Sequence, residues 1–567
     1  MCRQRWHWKN YSSGSWRADP GPQSNGGTMT DDIRSRRLRP LATLAAGLAT
    51  VMALSGCTLI QEIQELGGTT PMPGEGLEVV PEDLDATLSS YYEQEFEWEP
   101  CDTSVGAPSD AECATVLAPM DWSAPDAYDD IQLALIRLPA TGTSQGSMFT
   151  NPGGPGGSGL SFIAGSGTSF FSKDLREKFD IVSWDPRGVG ASSAVDCVDD
   201  AGMDEYLYGV PENAASMTPE ELVAFEIEKT RKFTAGCLEN TGDLLAFVDT
   251  QSTVRDLDLL RALVGDRTLT YFGLSYGTDI GAQYIDKFPD RVGRVVLDGA
   301  TDPTVPAFDV IIDQQEKFGD ATRNYLADCF TAAECPFAGP TVDDAIGQIR
   351  ATMDEVDSTL PKGPDGRTFT SSVMLTAINM TMYDSSSWQY LSQAFSAWYT
   401  AADSSVFFFL ADLYNDRDQS GHYASNMMEA FQAINCLDYP LVTDKDAIRS
   451  FYERLAEVSI FFSLEDMTEA EMAIGDLTCE NWPVRSKVTE QQAVTGAGAA
   501  PVLVVATSND PATPLKWAEA VAQQLESATL LVVEGDGHIA YGRSTCGDQV
   551  IDEYFINGKV PADPTHC

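Results

Sequence analysis

A chain of 567 residues exceeds one average domain and suits a large catalytic domain that carries an insertion. Hydrophobic residues make up 43% of it, ample for a packed core, and no repeat of solenoid or propeller period occurs. With 85 acidic side chains against 36 basic ones the net charge is −49, which excludes nucleic-acid binding, since that needs basic groups set against phosphate, and points instead to a soluble surface.

In chain order, the first signal is a targeting segment. Arg34, Arg36, Arg37 and Arg39 precede an apolar run from Leu41 to Leu54, shorter than the ~20 residues that span a bilayer and therefore a signal-peptide core. The run ends in Leu54-Ser55-Gly56-Cys57, which resembles a bacterial lipobox, so Cys57 is the expected lipidation site and mature N-terminus. Residues 1–56 are assigned to the signal, with 1–28 upstream of an expected start at Met29. Residues 57–90 read as a tether, containing Gly67-Gly68-Thr69-Thr70-Pro71-Met72-Pro73-Gly74-Glu75-Gly76. The implied location is the outer face of a bacterial cell membrane, reached through the lipid alone, with shedding as the alternative.

From about residue 91 the pattern becomes α/β. Ile131 to Leu138, Ser147 to Thr150, Asp180 to Trp184, Leu269 to Gly273 and Arg294 to Asp298 are strand-like. Thr253 to Val264 has helical spacing, with Val254, Leu257, Leu260 and Leu263 on one face, and Asp279 to Phe288 follows as a helix. The alternation stops near residue 304, continues as mainly helical sequence to about 496, and resumes with strands Pro501 to Ala506 and Thr529 to Glu534 and helices Lys516 to Leu525 and Gln549 to Phe555. Strands alternating with helices make a mostly parallel sheet flanked by helices. The expected organisation is a first core part at 91–303, a helical cap at 304–496, its core including aromatic runs such as Phe407-Phe408-Phe409 and Trp388-Gln389-Tyr390, and a second core part at 497–567.

Ten cysteines follow Cys57, an even number in a chain that leaves the cytoplasm, which argues for disulfides. Connectivity does not follow from sequence alone. Cys101–Cys113 and Cys329–Cys335 are local, Cys546–Cys567 would pin the last helix to the tail, and Cys197–Cys237 and Cys436–Cys479 complete the expected set. Metal binding is not expected: three histidines follow Cys57 and no paired Cys-x-x-Cys spacing occurs.

Gly273-Leu274-Ser275-Tyr276-Gly277 follows a strand and opens a helix, the context of a nucleophile elbow in an α/β hydrolase, and Ser275 is its nucleophile. A serine needs a base. His422 lies in the insertion and His566 is the penultimate residue, while His538 follows the last long strand, where that fold places the base. Asp510, after the preceding strand, is preferred as the acid over Asp536, which sits two residues from the histidine on the same turn, and Thr513 stands ready to hydrogen-bond within the acid's loop. An oxyanion needs two backbone N–H donors. Tyr276 supplies one, and the glycine loop Asn151-Pro152-Gly153-Gly154-Pro155-Gly156-Gly157-Ser158-Gly159 the other, with Gly154 chosen and Gly153 next; the Lys-Ser/Thr ending of a phosphate-binding loop is missing.

Pro152-Gly153-Gly154-Pro155-Gly156, Asp185-Pro186-Arg187-Gly188-Val189-Gly190-Ala191-Ser192, the elbow, Asp510-Pro511-Ala512-Thr513-Pro514 and Gly537-His538 resemble the proline-iminopeptidase branch of α/β hydrolases. The C-terminal part, with Ser544-Thr545-Cys546 and Cys567, resembles the tripeptidyl-aminopeptidase-like domain; the likeness runs from about residue 95 to the end and takes in Ala433-Ile434-Asn435-Cys436-Leu437-Asp438 and Cys479-Glu480-Asn481-Trp482-Pro483. Asn151-Pro152 departs from it, standing where many relatives place histidine, but leaves the backbone donors intact. The resemblance implies a monomeric serine exopeptidase, of tripeptidyl or prolyl type, acting on free N-termini of peptide or protein substrates through an acyl-enzyme, without a cofactor. Carboxylesterase or lipase action with the same triad is the alternative, and an inactive peptide-binding lipoprotein the second. A buried α-ammonium group needs a carboxylate, for which Asp438 and then Glu429 are the candidates.

Overall fold

The computed structural model describes residues 77–567 apart from 82, 83 and 333; the signal, Cys57 and most of the tether lie outside the described residues. The strand-like runs form one sheet. Its spatial order is β1 (Glu99–Pro100), β2 (Glu112–Ala118), β3 (Ile131–Leu138), β5 (Asp180–Trp184), β4 (Ser147–Asn151), β6 (Leu269–Leu274), β7 (Val292–Asp298), β8 (Val502–Asn509), β9 (Ala528–Asp536) and β10 (Thr565–His566). The pairs β1–β2, β2–β3 and β3–β5 are antiparallel, and every pair from β5 to β10 is parallel. The parallel strands read as apolar runs because helices cover both faces: six consecutive residues of β8, from Val502, are buried.

The helices follow their local signals. Ser158 caps α1 (Gly159–Phe170) through Ser161 N, and Thr218 and Glu221 form a capping box on α2 (Pro219–Thr241). Asp249 caps α3 (Thr250–Leu263), whose Val254, Leu257 and Leu260 are fully buried against the sheet, as the spacing predicts. The nucleophile strand runs into α4 (Tyr276–Lys287).

Between β7 and β8 the chain is helical, with α5 (Ala307–Cys329), α6 (Val342–Thr359), α7 (Ser371–Met382), α8 (Trp388–Ala401), α9 (Ser405–Tyr414), α10 (Met427–Asp438) and α11 (Lys445–Val458) as its longer helices. These bury a cluster of their own that includes Phe318, Tyr325, Ile349, Phe369, Leu391 and Phe395. Phe407 and Phe408 enter it, each such ring stabilising by roughly 1.5–3 kcal/mol, whereas Phe409 is 53% exposed and Tyr390 46%. The sheet resumes with α12 (Leu515–Gln524) between β8 and β9 and α13 (Thr545–Asn557) after β9. No helix among the described residues is long and apolar enough to cross a membrane.

One boundary differs from the sequence reading. The tether does not extend to residue 90: Val79, Val80, Leu84 and Leu88 pack on the core, Tyr91 and Tyr92 are buried, and Arg261 Nη1 donates to Val79 O at 3.0 Å. Apolar residues spaced through this acidic stretch outweigh its loop-like composition. The ten cysteines pair as Cys101–Cys113, Cys197–Cys237, Cys329–Cys335, Cys436–Cys479 and Cys546–Cys567. The last of these fastens α13 to the tail, which joins the sheet as β10 through Thr565 beside Leu531.

Candidate active site

β6 ends at Leu274 and α4 begins at Tyr276, so Ser275 alone turns the chain from strand to helix. Its backbone sits at φ 55° and ψ −128°, a conformation that costs a residue with a Cβ on the order of 1–3 kcal/mol. The neighbours hold it there. Ser275 N–H donates to Asp298 O at 3.0 Å, and Thr278 donates its N–H to Ser275 O at 2.7 Å and its Oγ1–H at 2.5 Å. The flanking glycines are sterically required: a Cβ at Gly273 would lie 2.5 Å from Gly277 O, and one at Gly277 2.5 Å from Asn151 O. Ser275 is thereby fixed at the amino end of a helix, where unpaired amides favour developing negative charge.

His538 lies on the loop that follows β9, and its Nδ1 is 2.9 Å from Asp510 Oδ2 and 3.0 Å from Oδ1. Asp510 is 1% exposed, and its carboxylate also accepts from Ala512 N (2.9 Å), Thr513 N (2.8 Å), Thr513 Oγ1 (3.0 Å) and Ile539 N (3.3 Å). An acceptor so placed requires the proton of a neutral imidazole on Nδ1 and leaves the lone pair on Nε2. The rival acid Asp536 is engaged elsewhere, accepting from Asn324 Nδ2 at 2.7 Å. A methyl group at Gly299 (φ 68°) would lie 3.2 Å from His538 Cε1 and 3.0 Å from Thr513 Oγ1. Gly299 follows Asp298, whose carbonyl takes the Ser275 amide, so serine and imidazole flank one two-residue step at the end of β7.

The glycine loop meets the elbow directly. A Cβ at Gly153 (φ 96°) would lie 2.9 Å from both Ser275 Cβ and Tyr276 N. Gly153 N–H is spent on Asn151 Oδ1 at 2.9 Å. Asp185, at the end of β5, shapes the loop's exit by accepting from Ser158 Oγ (2.6 Å), Leu160 N (3.0 Å) and Ala191 N (2.7 Å). Burial raises its carboxyl pKa against these donors.

The two carboxyls nominated for a substrate ammonium group both lie on α10, which rests on this loop: a Cβ at Gly156 would lie 2.5 Å from Met427 O. Glu429 Oε1 accepts from Cys197 N (2.9 Å) and Val198 N (3.1 Å), and Asp438 from Thr250 N (2.9 Å) and Thr250 Oγ1 (2.6 Å). Thr250 Oγ1 in turn meets the Tyr276 hydroxyl. Both carboxyls are thus committed to docking α10 on the core, and a substrate amine at either must compete with these donors. Burial pushes Glu429 up to about 7 and Asp438 well above the usual carboxylate range.

Sequence reasoning missed Asp298, which is fully buried and accepts from Ala540 N at 2.9 Å and Tyr541 N at 2.8 Å, just beyond the histidine. Its place at the end of the strand read as Arg294 to Asp298 was the available signal. It also missed Asn426, whose side chain bonds Gly188 O, Gly190 N and Val195 O and seats α10 on the loop after β5; no local pattern marks it.

A strained serine between a central parallel strand and a helix, in a sheet that also carries a carboxylate-anchored imidazole after a later strand, defines a serine hydrolase of the α/β-hydrolase class. The TAP-like protein family matches residues 465–567. The chain is 35% identical over 549 residues to serine protease Hip1 of Mycobacterium tuberculosis, covering 94% of this chain and 99% of that one. It is 33% identical over 537 residues to carboxylesterase B of the same organism (94% and 99%) and 30% identical over 488 residues to tripeptidyl aminopeptidase of Streptomyces lividans (83% and 86%). The chain therefore belongs to this TAP-like family of α/β-hydrolase serine hydrolases.

Proposed function

We propose that the chain is a serine exopeptidase that releases short peptides, tripeptides among them, or single residues from free peptide N-termini. The observation that carries the reading is the Asp510–His538 pair, with Nε2 left as a base, together with the constrained Ser275 at the strand–helix turn. His538 Nε2 takes the Ser275 proton as Oγ attacks the scissile carbonyl; the Tyr276 and Gly154 amides receive the oxyanion; the imidazolium protonates the leaving amine, and water resolves the acyl-enzyme by the reverse proton path. Asp510 holds the tautomer and stabilises the imidazolium. The tripeptidyl aminopeptidase and serine protease relatives support a peptide substrate. Ser275→Ala lowers turnover by on the order of 10⁴–10⁶-fold in a folded protein, and a variant that stays active refutes the assignment.

The relative named carboxylesterase B supports an esterase reading with the same residues. Peptide amides with free and with acetylated N-termini, run beside acyl esters, separate the two: acetylation abolishes turnover by an aminopeptidase and leaves ester hydrolysis unchanged. The enzyme acts, in this reading, on the outer face of the cell membrane, held by a lipid on Cys57. Cys57→Ala then moves activity from the membrane fraction to the medium, and activity that stays with the membrane argues against the anchor.

A further inference from the structure

Asp510 alone cannot hold the base. A single hydrogen-bonded edge leaves the imidazole free to pivot about the Nδ1–carboxylate line and to move with its loop. That loop is irregular, with Gly537 at φ 117° and Ile539, which carries a Cβ, at φ 69°. Asp510 and Asp298 take amides of this loop, and one side chain gathers its carbonyls. Arg543 Nε donates to Ile539 O at 2.6 Å, Nη2 to His538 O at 2.9 Å, and Nη1 to Asp536 O at 3.4 Å. The same Nη2 reaches out of the core to Tyr383 O, in the helical insertion, at 3.0 Å. Tyr383 O also accepts the His538 N–H at 2.9 Å, and the Tyr383 ring stands edge-on to the imidazole, at 89° with centroids 5.4 Å apart. Asp384 bridges to Gly537, and its carboxylate lies 3.3 Å from Arg543 Nη2. Gly537 is required by this clamp, since a Cβ there would lie 2.8 Å from Arg543 Cζ and from Tyr383 O.

We propose that Arg543 is the positioning residue that sets His538 in its working orientation and couples it, through Tyr383, to the helical insertion. The inference rests on the reading of His538 as the base. The planar guanidinium matters more than its charge, because only a rigid fork serves several carbonyls in fixed directions, whereas a lysine ammonium is a point charge on a flexible stem. The Asp384 partner is 49% exposed, so its ion pair adds little. Coupling through Tyr383 makes the base sensitive to where the insertion sits.

The test measures, on the full chain, the rate at which a fluorophosphonate probe labels Ser275 and the kcat and KM for a peptide amide. The variants are His538→Ala, Arg543→Ala, Arg543→Lys and Asp384→Asn, with circular dichroism to establish folding. Arg543→Ala and Arg543→Lys lower labelling and kcat by on the order of 10²-fold, the cost of displacing a reacting group by an ångström, with KM within about twofold. Asp384→Asn lowers them by less than about fivefold. Added guanidinium ion, below denaturing concentration, restores part of the Arg543→Ala rate and none of the His538→Ala rate. Arg543→Lys with the parent rate overturns the proposal, and it decides the matter if Arg543→Ala does not fold. A loss in folded Arg543→Ala that guanidinium leaves untouched assigns the effect to the fold at large and overturns it too. If instead His538→Ala labels as fast as the parent, the base assignment itself fails, independently of Arg543.

Discussion

Asp298→Asn separates stability from catalysis in this site. The Asp298 carboxyl is 0% exposed, and burial pushes its pKa up to about 6 from 3.8, against the Ala540 and Tyr541 amides that pull it down. Between those two values the folded chain holds a proton that the unfolded chain has released, so stability is greatest below the lower value and falls as pH rises through the window. The loss is on the order of 1–2 kcal/mol at pH 5 and levels off at about 3 kcal/mol above pH 7. Asparagine abolishes this loss but offers one acceptor oxygen to two amides, leaving one amide unpaired at about 1–3 kcal/mol. The terms nearly cancel at pH 7.5, where the variant folds with stability within about 2 kcal/mol of the parent, and the balance moves against the variant by on the order of 1 kcal/mol at pH 5. Catalysis has no such compensation. The segment after His538 loses one of the two bonds by which Asp298 holds it, and kcat falls by roughly 10- to 100-fold. Denaturation at pH 5 and 7.5 with steady-state kinetics at pH 7.5 reads both. A variant with the parent kcat, or a stability offset equal at the two pH values, refutes the reasoning.

Two further predictions test the framework around the serine. Gly153→Ala forces a Cβ to 2.6 Å from Leu274 O and 2.9 Å from Tyr276 N, displacing the oxyanion loop; kcat falls by on the order of 10²–10³-fold with unchanged circular dichroism, and an active variant would mean that the loop does not line the oxyanion site. Arg187→Ala strips Asp256, fully buried and bonded by both oxygens at 2.7 Å, of its counter-ion, and lowers stability by about 3–5 kcal/mol, read as a shift in the denaturation midpoint.

The sheet was legible in the sequence because buried parallel strands are short apolar runs and the helices between them carry periodic faces. Thr529 to Glu534 lies inside β9, Pro501 to Ala506 overlaps β8 in all but its first residue, and Thr253 to Val264 starts three residues into α3 and runs one past its end. Edge elements were not legible: β2, whose residues alternate irregularly between exposed and buried, and the two-residue β10 depend on partners rather than on their own pattern. The acidic run before residue 90 misled for the same reason, since its few apolar side chains find a surface only after the core has formed.

What the sequence by itself determined is the chemistry whose requirements are local. A serine between two glycines at a strand–helix junction, an aspartate and a histidine each following a later strand, and a glycine-rich loop after an earlier one are set by backbone constraints that short motifs record. What only the tertiary structure decided is which distant groups converge on them. Asp298, Tyr383, Arg543 and Asn426 act by bonding backbone atoms of other segments, and a carbonyl or amide leaves no trace of its partner in sequence. The same holds for Glu429 and Asp438, whose letters suggested a substrate's ammonium group and whose positions tie a helix to the core. A carboxylate's role is set by the donors within 3 Å of it, and those are fixed only when the chain has folded.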